Sequence, residues 1–237
     1  MDKIITKIVM KGLKVPTVPF FALNDIKDLN DISLPFDYPV IVKPDCGGSS
    51  IGIKKASDLN QLGVAVKNAF RYGNKVIIEP MLSDFIEINC AAYRNEDGNI
   101  IVSECEKPIG REEVLTFSDK YESGSREFPA KIEQKISDKI KNITKKVYGE
   151  LDFSGVIRID YFVMKNKVYL NEINSVPGSM AYYLFCDTFK EYSKILDEII
   201  NFAIKEFNRS NAVIKDFRSE ILSAGGGKGA KKVVKNK

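Results

Sequence analysis

Asp160 and Glu172 sit in two runs of alternating residues, Arg158-Ile159-Asp160-Tyr161-Phe162-Val163-Met164 and Val168-Tyr169-Leu170-Asn171-Glu172-Ile173-Asn174, on either side of Lys165-Asn166-Lys167. A three-residue turn there predicts a hairpin in which Met164 faces Val168, Phe162 faces Leu170, Asp160 faces Glu172 and Arg158 faces Asn174, all on one side. Directly opposed carboxylates repel and destabilise a strand pair unless positive charge lies between them. Arg158 offers part of that charge. A Mg²⁺ ion, or Mn²⁺ in its place, takes carboxylate, amide and phosphate oxygens together, which makes Asp160, Glu172 and Asn174 candidate metal ligands. The competing explanation is a solvated strand end closed by an arginine–carboxylate salt bridge.

A second group has the ingredients of a phosphate cradle: Lys43 ends an apolar run and is followed by Gly47-Gly48-Ser49-Ser50-Ile51-Gly52. Glycines let backbone N–H groups approach anionic oxygens, hydroxyls donate further bonds, and a lysine adds point charge. No Gly-Lys-Ser/Thr closes the loop and the dinucleotide spacing is absent, and such residues on their own more often make a plain turn. Glu79 and Glu87 have the chemistry to accept hydrogen bonds from an adenine amino group and from ribose hydroxyls; surface acids would look the same.

These groups need a scaffold. An amphipathic helix with Ile4, Ile8 and Val9 on one face and Gly12 as its stop opens the chain, followed by an extended stretch over 15–23. Strands are expected at 38–43 and 75–82, with a helix between them capped by Ser57 and packed through Leu59, Leu62, Val66 and Phe70. Residues 86–106 read as a hairpin turning at Asp97-Gly98. Residues 109–129 are polar and aperiodic, a long loop of the kind that is usually functional. Ile132, Ile136, Ile140, Ile143, Val147 and Leu151 mark one long helix, and Tyr192, Ile195, Leu196, Ile199, Phe202 and Phe207 a last one. Helices and hairpins in blocks predict an α+β fold with antiparallel sheets.

Composition narrows the chemistry. Histidine is absent, which removes Ser-His-Asp and Cys-His catalysis and the commonest metal ligand. The net charge of +4 owes five lysines to residues 221–237, which hold no acid, so the body carries no basic signal for nucleic acid and the tail reads as solvated and flexible. No apolar run reaches the roughly 20 residues of a membrane span. Met1-Asp2-Lys3 begins no signal peptide, and a cytoplasmic location is the default expectation. The four cysteines lack paired spacing and are expected to be free thiols.

Taken in order, Asp2-Lys3, Pro39-Val40-Ile41-Val42-Lys43-Pro44, Gly48-Ser49-Ser50-Ile51-Gly52, Glu79, Glu87, Lys120-Tyr121, Phe128-Pro129-Ala130, Arg158-Ile159-Asp160 and Asn171-Glu172-Ile173-Asn174-Ser175-Val176-Pro177-Gly178 resemble the D-alanine:D-alanine ligase family over most of residues 1–185. The resemblance implies an ATP-grasp fold, with a small central subdomain over 1–84, a C-terminal subdomain over 85–210 and a flexible basic tail over 211–237. It implies ATP and Mg²⁺ as cofactors and the joining of a carboxylate to an amine through an acylphosphate, in peptidoglycan precursor synthesis. Lys3 and Lys43 would contact phosphates with Ser49 and Ser50 closing over them, Glu79, Met81 and Leu82 would hold adenine, and Glu87 the ribose. Asp160, Glu172 and Asn174 would hold metal, and Arg158 would stabilise the anionic intermediate. Lys120 and Tyr121 would lie on a covering loop with Tyr121 meeting Ser49, a tyrosine that in this family accompanies D-alanine as second substrate. Gly178, Tyr183 and Leu184 would line the substrate site.

Two features depart from that family. Its usual first domain, which supplies an acid for the first D-alanine, has no counterpart before Met1, so a separate N-terminal polypeptide or a fragment is one expectation; a homodimer is another implied partner. Tyr183 stands where the family has a serine for a substrate carboxylate. An ATP-binding module without turnover, and a ligase for another amino acid, are therefore the alternatives.

Overall fold

The computed structural model describes residues 2–48, 50–109 and 125–213. Ser49, Lys120, Tyr121, most of the 109–129 loop and the lysine-rich tail from residue 214 lie outside them. Residues Met1–Phe202 form one compact unit and a second begins at Ala203.

Helix α1 (Lys3–Gly12) is capped by Asp2, whose carboxylate accepts from Ile5 N–H. Its buried residues are Ile4, Thr6, Lys7 and Met10, whereas Ile8, expected on the packed face, is 59% exposed. The helix turns Lys7 inward because a buried carboxylate awaits it, described below. The extended stretch that follows buries Val15 and Val18 and ends in β1 (Phe21–Leu23). With β2 (Val40–Pro44), β3 (Lys54–Ala56) and β4 (Val76–Pro80) it makes an antiparallel sheet in the order β1-β4-β2-β3. Helix α2 (Leu59–Ala69) covers one face through Leu62, Ala65, Val66 and Ala69. Asp58, one residue after the expected Ser57, caps it by accepting from Gln61 N–H at 2.8 Å. Leu59 is 59% exposed, because the buried stripe starts a turn later at Leu62. Strand alternation puts Val40 and Val42 under α2 and leaves Ile41 and Lys43 facing the other way.

A second sheet has the order β10-β9-β5-β6, from β5 (Ile86–Arg94), β6 (Ile100–Val102), β9 (Ile157–Met164) and β10 (Lys167–Asn174). Before β9 come a short pair, β7 (Lys107–Pro108) with β8 (Arg126–Glu127), and helix α3 (Gln134–Glu150). Ile136, Ile140, Val147 and Tyr148 of α3 pack on Ile88, Cys90, Ile157, Ile159 and Tyr161, so the expected face of the long helix is the observed one. The opposite face of this sheet carries the polar residues of β5 and β9. Farther along that face Ala91 and Tyr93 pack with Leu184 and Tyr192, the latter from α4 (Phe189–Asn211).

The β9–β10 hairpin differs from expectation near its turn. The turn has two residues, Lys165 and Asn166, with φ of 46° and 61°, and Met164 pairs with Lys167, Val163 with Val168, and Phe162 with Tyr169. Two-residue turns with both φ positive match strand twist better than a three-residue loop. The register then shifts between Leu170 and Glu172, and beyond the shift Asp160 faces Glu172 and Arg158 faces Asn174, as expected. A β-bulge at Asn171 thus compensates for the shorter turn. Val168 and Leu170, expected beside Asp160 and Phe162, instead belong to the core, at 1% and 0% exposure.

Lys165 holds a left-handed conformation that Asn adopts more readily. Lys165→Asn is expected to stabilise the protein by roughly 0.5–1 kcal/mol, seen as a higher urea midpoint at unchanged slope; an unchanged or lower midpoint would refute the turn assignment.

Candidate active site

Both sheets turn polar faces toward one cleft of about 1020 Å³, its open mouth included. The first sheet contributes Ile41, Lys43 and Glu79, α1 contributes Lys3, and the second sheet contributes Glu87, Phe162, Asn171 and Glu172. Met81 and Leu82, just past β4, line it as well, with Val18 and Phe85 adding apolar wall. Phe85 meets Phe162 edge-on with centroids 4.7 Å apart. Apolar wall beside a cluster of charges is a combination that could take a ring joined to an anionic group.

The charges are arranged as linked pairs. Ile41 and Glu79 are register partners, and Lys43 lies diagonally from Glu79 on the same face, within reach of a long side chain. Its Nζ donates to Glu79 Oε2 at 2.6 Å. Lys7 Nζ lies 2.6 Å from the other oxygen, Oε1. Glu79 is 4% exposed; burial opposes its charge, but Lys43 and Lys7 overcome this and hold its pKa below the ordinary carboxylate value. Both its oxygens are therefore engaged by ammonium groups, a partnership that the expected adenine contact did not include. One helical turn from Lys7, Lys3 Nζ donates to the Gly47 carbonyl at 2.9 Å and lies 3.4 Å from Glu172 Oε1.

In the glycine-rich loop, Ile51 N–H donates to the Gly48 carbonyl at 3.2 Å and Ser50 lines the cleft. Gly52 has φ of 77°, and a Cβ there would come within 2.8 Å of the Pro44 ring, so only glycine brings the loop this close to the end of β2.

On the second sheet, Arg158 donates from Nε to Asp160 Oδ1 at 2.7 Å and from Nη2 to Oδ2 at 3.0 Å, a bidentate pair. Asn174 Nδ2 donates to Asp160 Oδ2 at 3.1 Å, and Arg158 Nη1 donates to the Tyr183 hydroxyl at 3.2 Å. Burial works against the Arg158 charge, but Asp160 and Tyr183 more than compensate and raise its pKa. Burial also raises the Tyr183 pKa, against the influence of Arg158, so the phenol keeps its proton. Asp160, Glu172 and Asn174 share one end of the hairpin and carry oxygens of the kind a hard divalent cation takes, but Arg158 holds both Asp160 oxygens, and of the three Glu172 alone lines the cleft. Asp2, Asp45 and Cys46 bring one ligand atom each within 4.8 Å of one another. They suit such an ion less: Asp2 caps α1, and burial together with Asp45 raises the Cys46 thiol pKa.

Gly178 and Tyr183 lie in a 3-10 segment, Gly178–Leu184, that ends against β9 and α4. Leu184, expected at the substrate site, is 2% exposed in the core, so only its backbone is available to a ligand. Several site residues were missed from the sequence. Asn89, register partner of Asp160, donates to Glu106 Oε2 at 3.0 Å. Arg126 lies 3.5 Å from Glu106, donates to the Tyr183 carbonyl at 3.0 Å and stacks over the Tyr183 ring at 4.9 Å. Alternation from Glu87 would have placed Asn89 on this face, and the four-residue spacing from Lys3 would have placed Lys7; Glu106, Arg126 and Asn171 carry no such signal.

Removing the Glu79 charge leaves two buried ammonium groups unpaired. Glu79→Gln is expected to cost about 3–5 kcal/mol at neutral pH. A carboxylate with its folded pKa below the unfolded one stabilises fully above the ordinary value of 4.5 and loses that contribution as pH falls through the folded value. Denaturation curves of the two proteins should therefore converge in acid; a difference constant from pH 7 to pH 3 would contradict the ion-pair assignment.

The model for "D-ala D-ala ligase C-terminus" matches residues 9–202. A D-alanine–D-alanine ligase of Thermosipho africanus is 36% identical over 94% of the chain, and one of Helicobacter pylori strain P12 is 38% identical over 78%. The chain spans 61% and 54% of the length of these two relatives. The crystal structure of the D-alanine–D-alanine ligase from Helicobacter pylori superposes with a TM-score of 0.67 at 32% identity, covering 86% of this chain and 57% of that one. Two antiparallel α+β layers around a charged cleft thus have a known ancestry, and the chain belongs to the D-alanine–D-alanine ligase family, with its ATP-grasp fold.

Proposed function

We propose that this chain carries the ATP-binding and phosphoryl-transfer machinery of a ligase that joins an amino-acid carboxylate to an amine, with D-alanine as the substrate. The observation that carries the proposal is the convergence on one cleft of Lys3, Lys43 and Glu172, with Asp160 facing Glu172 across the hairpin. Two opposed acids beside two lysines, none of them fully exposed, suit a triphosphate with its counter-cation, since the lysines supply charge for the phosphates and Glu172 faces the same space.

In this reading Lys43 and Lys3 hold the phosphates, Met81, Leu82 and Phe162 enclose adenine, and Glu87 takes the ribose hydroxyls. Asp160, Glu172 and Asn174 hold Mg²⁺, or Mn²⁺ in its place, which when bound shields the charge of the transferring phosphoryl group. The substrate carboxylate attacks the γ-phosphate, and an incoming amine then attacks the acylphosphate carbonyl. Arg158 faces that carbonyl as a fixed cation, held by Asp160 so that no reorganisation is needed when negative charge develops. Ser49, Lys120 and Tyr121 remain assigned to the covering of this site by resemblance alone. A further domain, on this polypeptide or another, completes the pocket for the first amino group. Dependence on ATP fits the cytoplasm, and among the described residues no helix is long and apolar enough to cross a membrane.

One observation favours a second reading, a ligase for a different acceptor: the Tyr183 hydroxyl, bonded to Arg158, fills space beside the reacting centre that a small acceptor would otherwise share.

With ATP, Mg²⁺ and D-alanine the complete protein is expected to release ADP and phosphate in step with dipeptide. Asp160→Asn and Glu172→Gln should each lower kcat by about 10²–10³-fold. ADP release with another amine but not D-alanine would select the second reading. Nucleotide binding without turnover on any amino acid would leave a binding module and sink both.

A further inference from the structure

Lys7 is a buried charged residue that the cleft chemistry above gives a partner but no role. Its side chain is 2% exposed, and its ammonium is held by Glu79 Oε1 at 2.6 Å and by the Val18 carbonyl at 2.9 Å, with the Phe20 ring 5.7 Å away. It has no surface on which to meet a ligand directly. Desolvation on that scale is costly, and Lys43 close by adds repulsion; both act to lower the Lys7 pKa, and only Glu79 opposes them. A structural anchor would be made more cheaply by an apolar side chain of similar length.

We propose that Lys7 is a positioning residue for the nucleotide phosphates: by occupying one oxygen of Glu79 it fixes that carboxylate against Lys43 and offsets its charge, so that Lys43 presents a net positive charge to the anion. The inference rests on the nucleotide-binding reading of the cleft. Without Lys7 the 2.6 Å Lys43–Glu79 pair is neutral as a unit, and an incoming polyphosphate meets a buried carboxylate with little net attraction. With Lys7 the three groups together carry one positive charge; Lys43 and Glu79 both line the cleft, and Lys43, 12% exposed in its side chain against 5% for Glu79, is the more accessible of the two. The i, i+4 spacing on α1 sets this device one turn from Lys3 on the same side, so one helix tethers both cationic contacts.

The test compares the affinities of ATP and adenosine, measured by calorimetry in Mg²⁺, for the wild type, Lys7→Met and Lys7→Met/Glu79→Gln. Lys7→Met should weaken ATP by roughly tenfold or more while adenosine changes by less than about threefold, the mark of a lost charge contribution rather than a damaged pocket. The double variant removes both the cation and the anion that it offset, so its ATP-to-adenosine affinity ratio should return toward that of the wild type, and this variant keeps the test open if Lys7→Met alone does not fold. Equal loss for ATP and adenosine, no loss in a folded Lys7→Met, or no recovery of the ratio in the double variant each overturns the proposal. If the wild type binds ATP and these results fail, only the role of Lys7 falls; if the wild type binds no adenine nucleotide, the functional reading falls with it.

Discussion

Like charge brought together across neighbouring strands is the constraint around which this molecule is organised. Asp160 and Glu172 are register partners on β9 and β10, and Glu79 is a third acid removed almost wholly from water. Left alone each would be costly in proportion to its burial, Glu79 most of all, since an unpaired buried charge costs several kcal/mol. Each instead has its own cation: Arg158 grips Asp160, Lys3 approaches Glu172, and Lys7 and Lys43 share Glu79. Among the described residues no buried side-chain nitrogen or oxygen lacks a partner. The resulting surface is close to electrical balance, which lets acids and bases stand a few ångströms apart without either collapsing the fold or losing its charge.

That balance depends on α1 more than on either sheet. Lys3 and Lys7 leave the helix one turn apart, one toward β10 and the other toward β4, while Met10 of the same helix enters the core of the second sheet. Lys3 N–H also donates to the Asp45 carbonyl at 2.8 Å, which ties the helix start to the glycine-rich loop. The helix is short, and its own propensity would not hold it in water. It persists because its buried side is committed to ion pairs and core together.

The sequence made the alternating strands and the long helices legible because burial periodicity is a local property. Val40, Val42, Ile157, Ile159 and Tyr161 went to the core, and Lys43, Arg158 and Asp160 to the opposite faces, as their spacing requires. The acid pair was placed correctly although the turn was not. A turn shorter by one residue and a bulge of one residue cancel, so Asp160 meets Glu172 in either scheme, but only the bulge brings both Asn171 and Glu172 to the cleft lining. Bulges leave no sequence signature, which is why Asn171 was overlooked and Leu170 assigned to the wrong side. Lys7 was missed for a different reason: hydrophobic patterning treats lysine as surface, and only the position of Glu79 in space reveals that this one is core. Glu106 and Arg126 come together across a long stretch of chain, and nothing local announces such a contact.

The segment after the acid pair shows how strain and chemistry meet. Ser179, Met180 and Ala181 all have φ near +50°, which for residues bearing a Cβ costs roughly 1–2 kcal/mol each. The conformation persists because it is held at both ends: Ala181 and Leu184 are buried beside Tyr93, and the Tyr192 hydroxyl donates to the Met180 carbonyl at 3.0 Å. What the tight left-handed course accomplishes is to bring Tyr183 back toward β9, its hydroxyl against Arg158 and its ring beneath the Arg126 guanidinium. A relaxed right-handed turn of the same length would carry that side chain along a different path. Backbone strain of this kind is retained where the surrounding packing over-determines it. Here the packing of α4 fixes the turn, the turn fixes Tyr183, and Tyr183 together with Asp160 leaves the Arg158 guanidinium a single orientation. The placement of the Arg158 guanidinium is therefore governed in part by a helix whose own hold is on the turn carrying Tyr183.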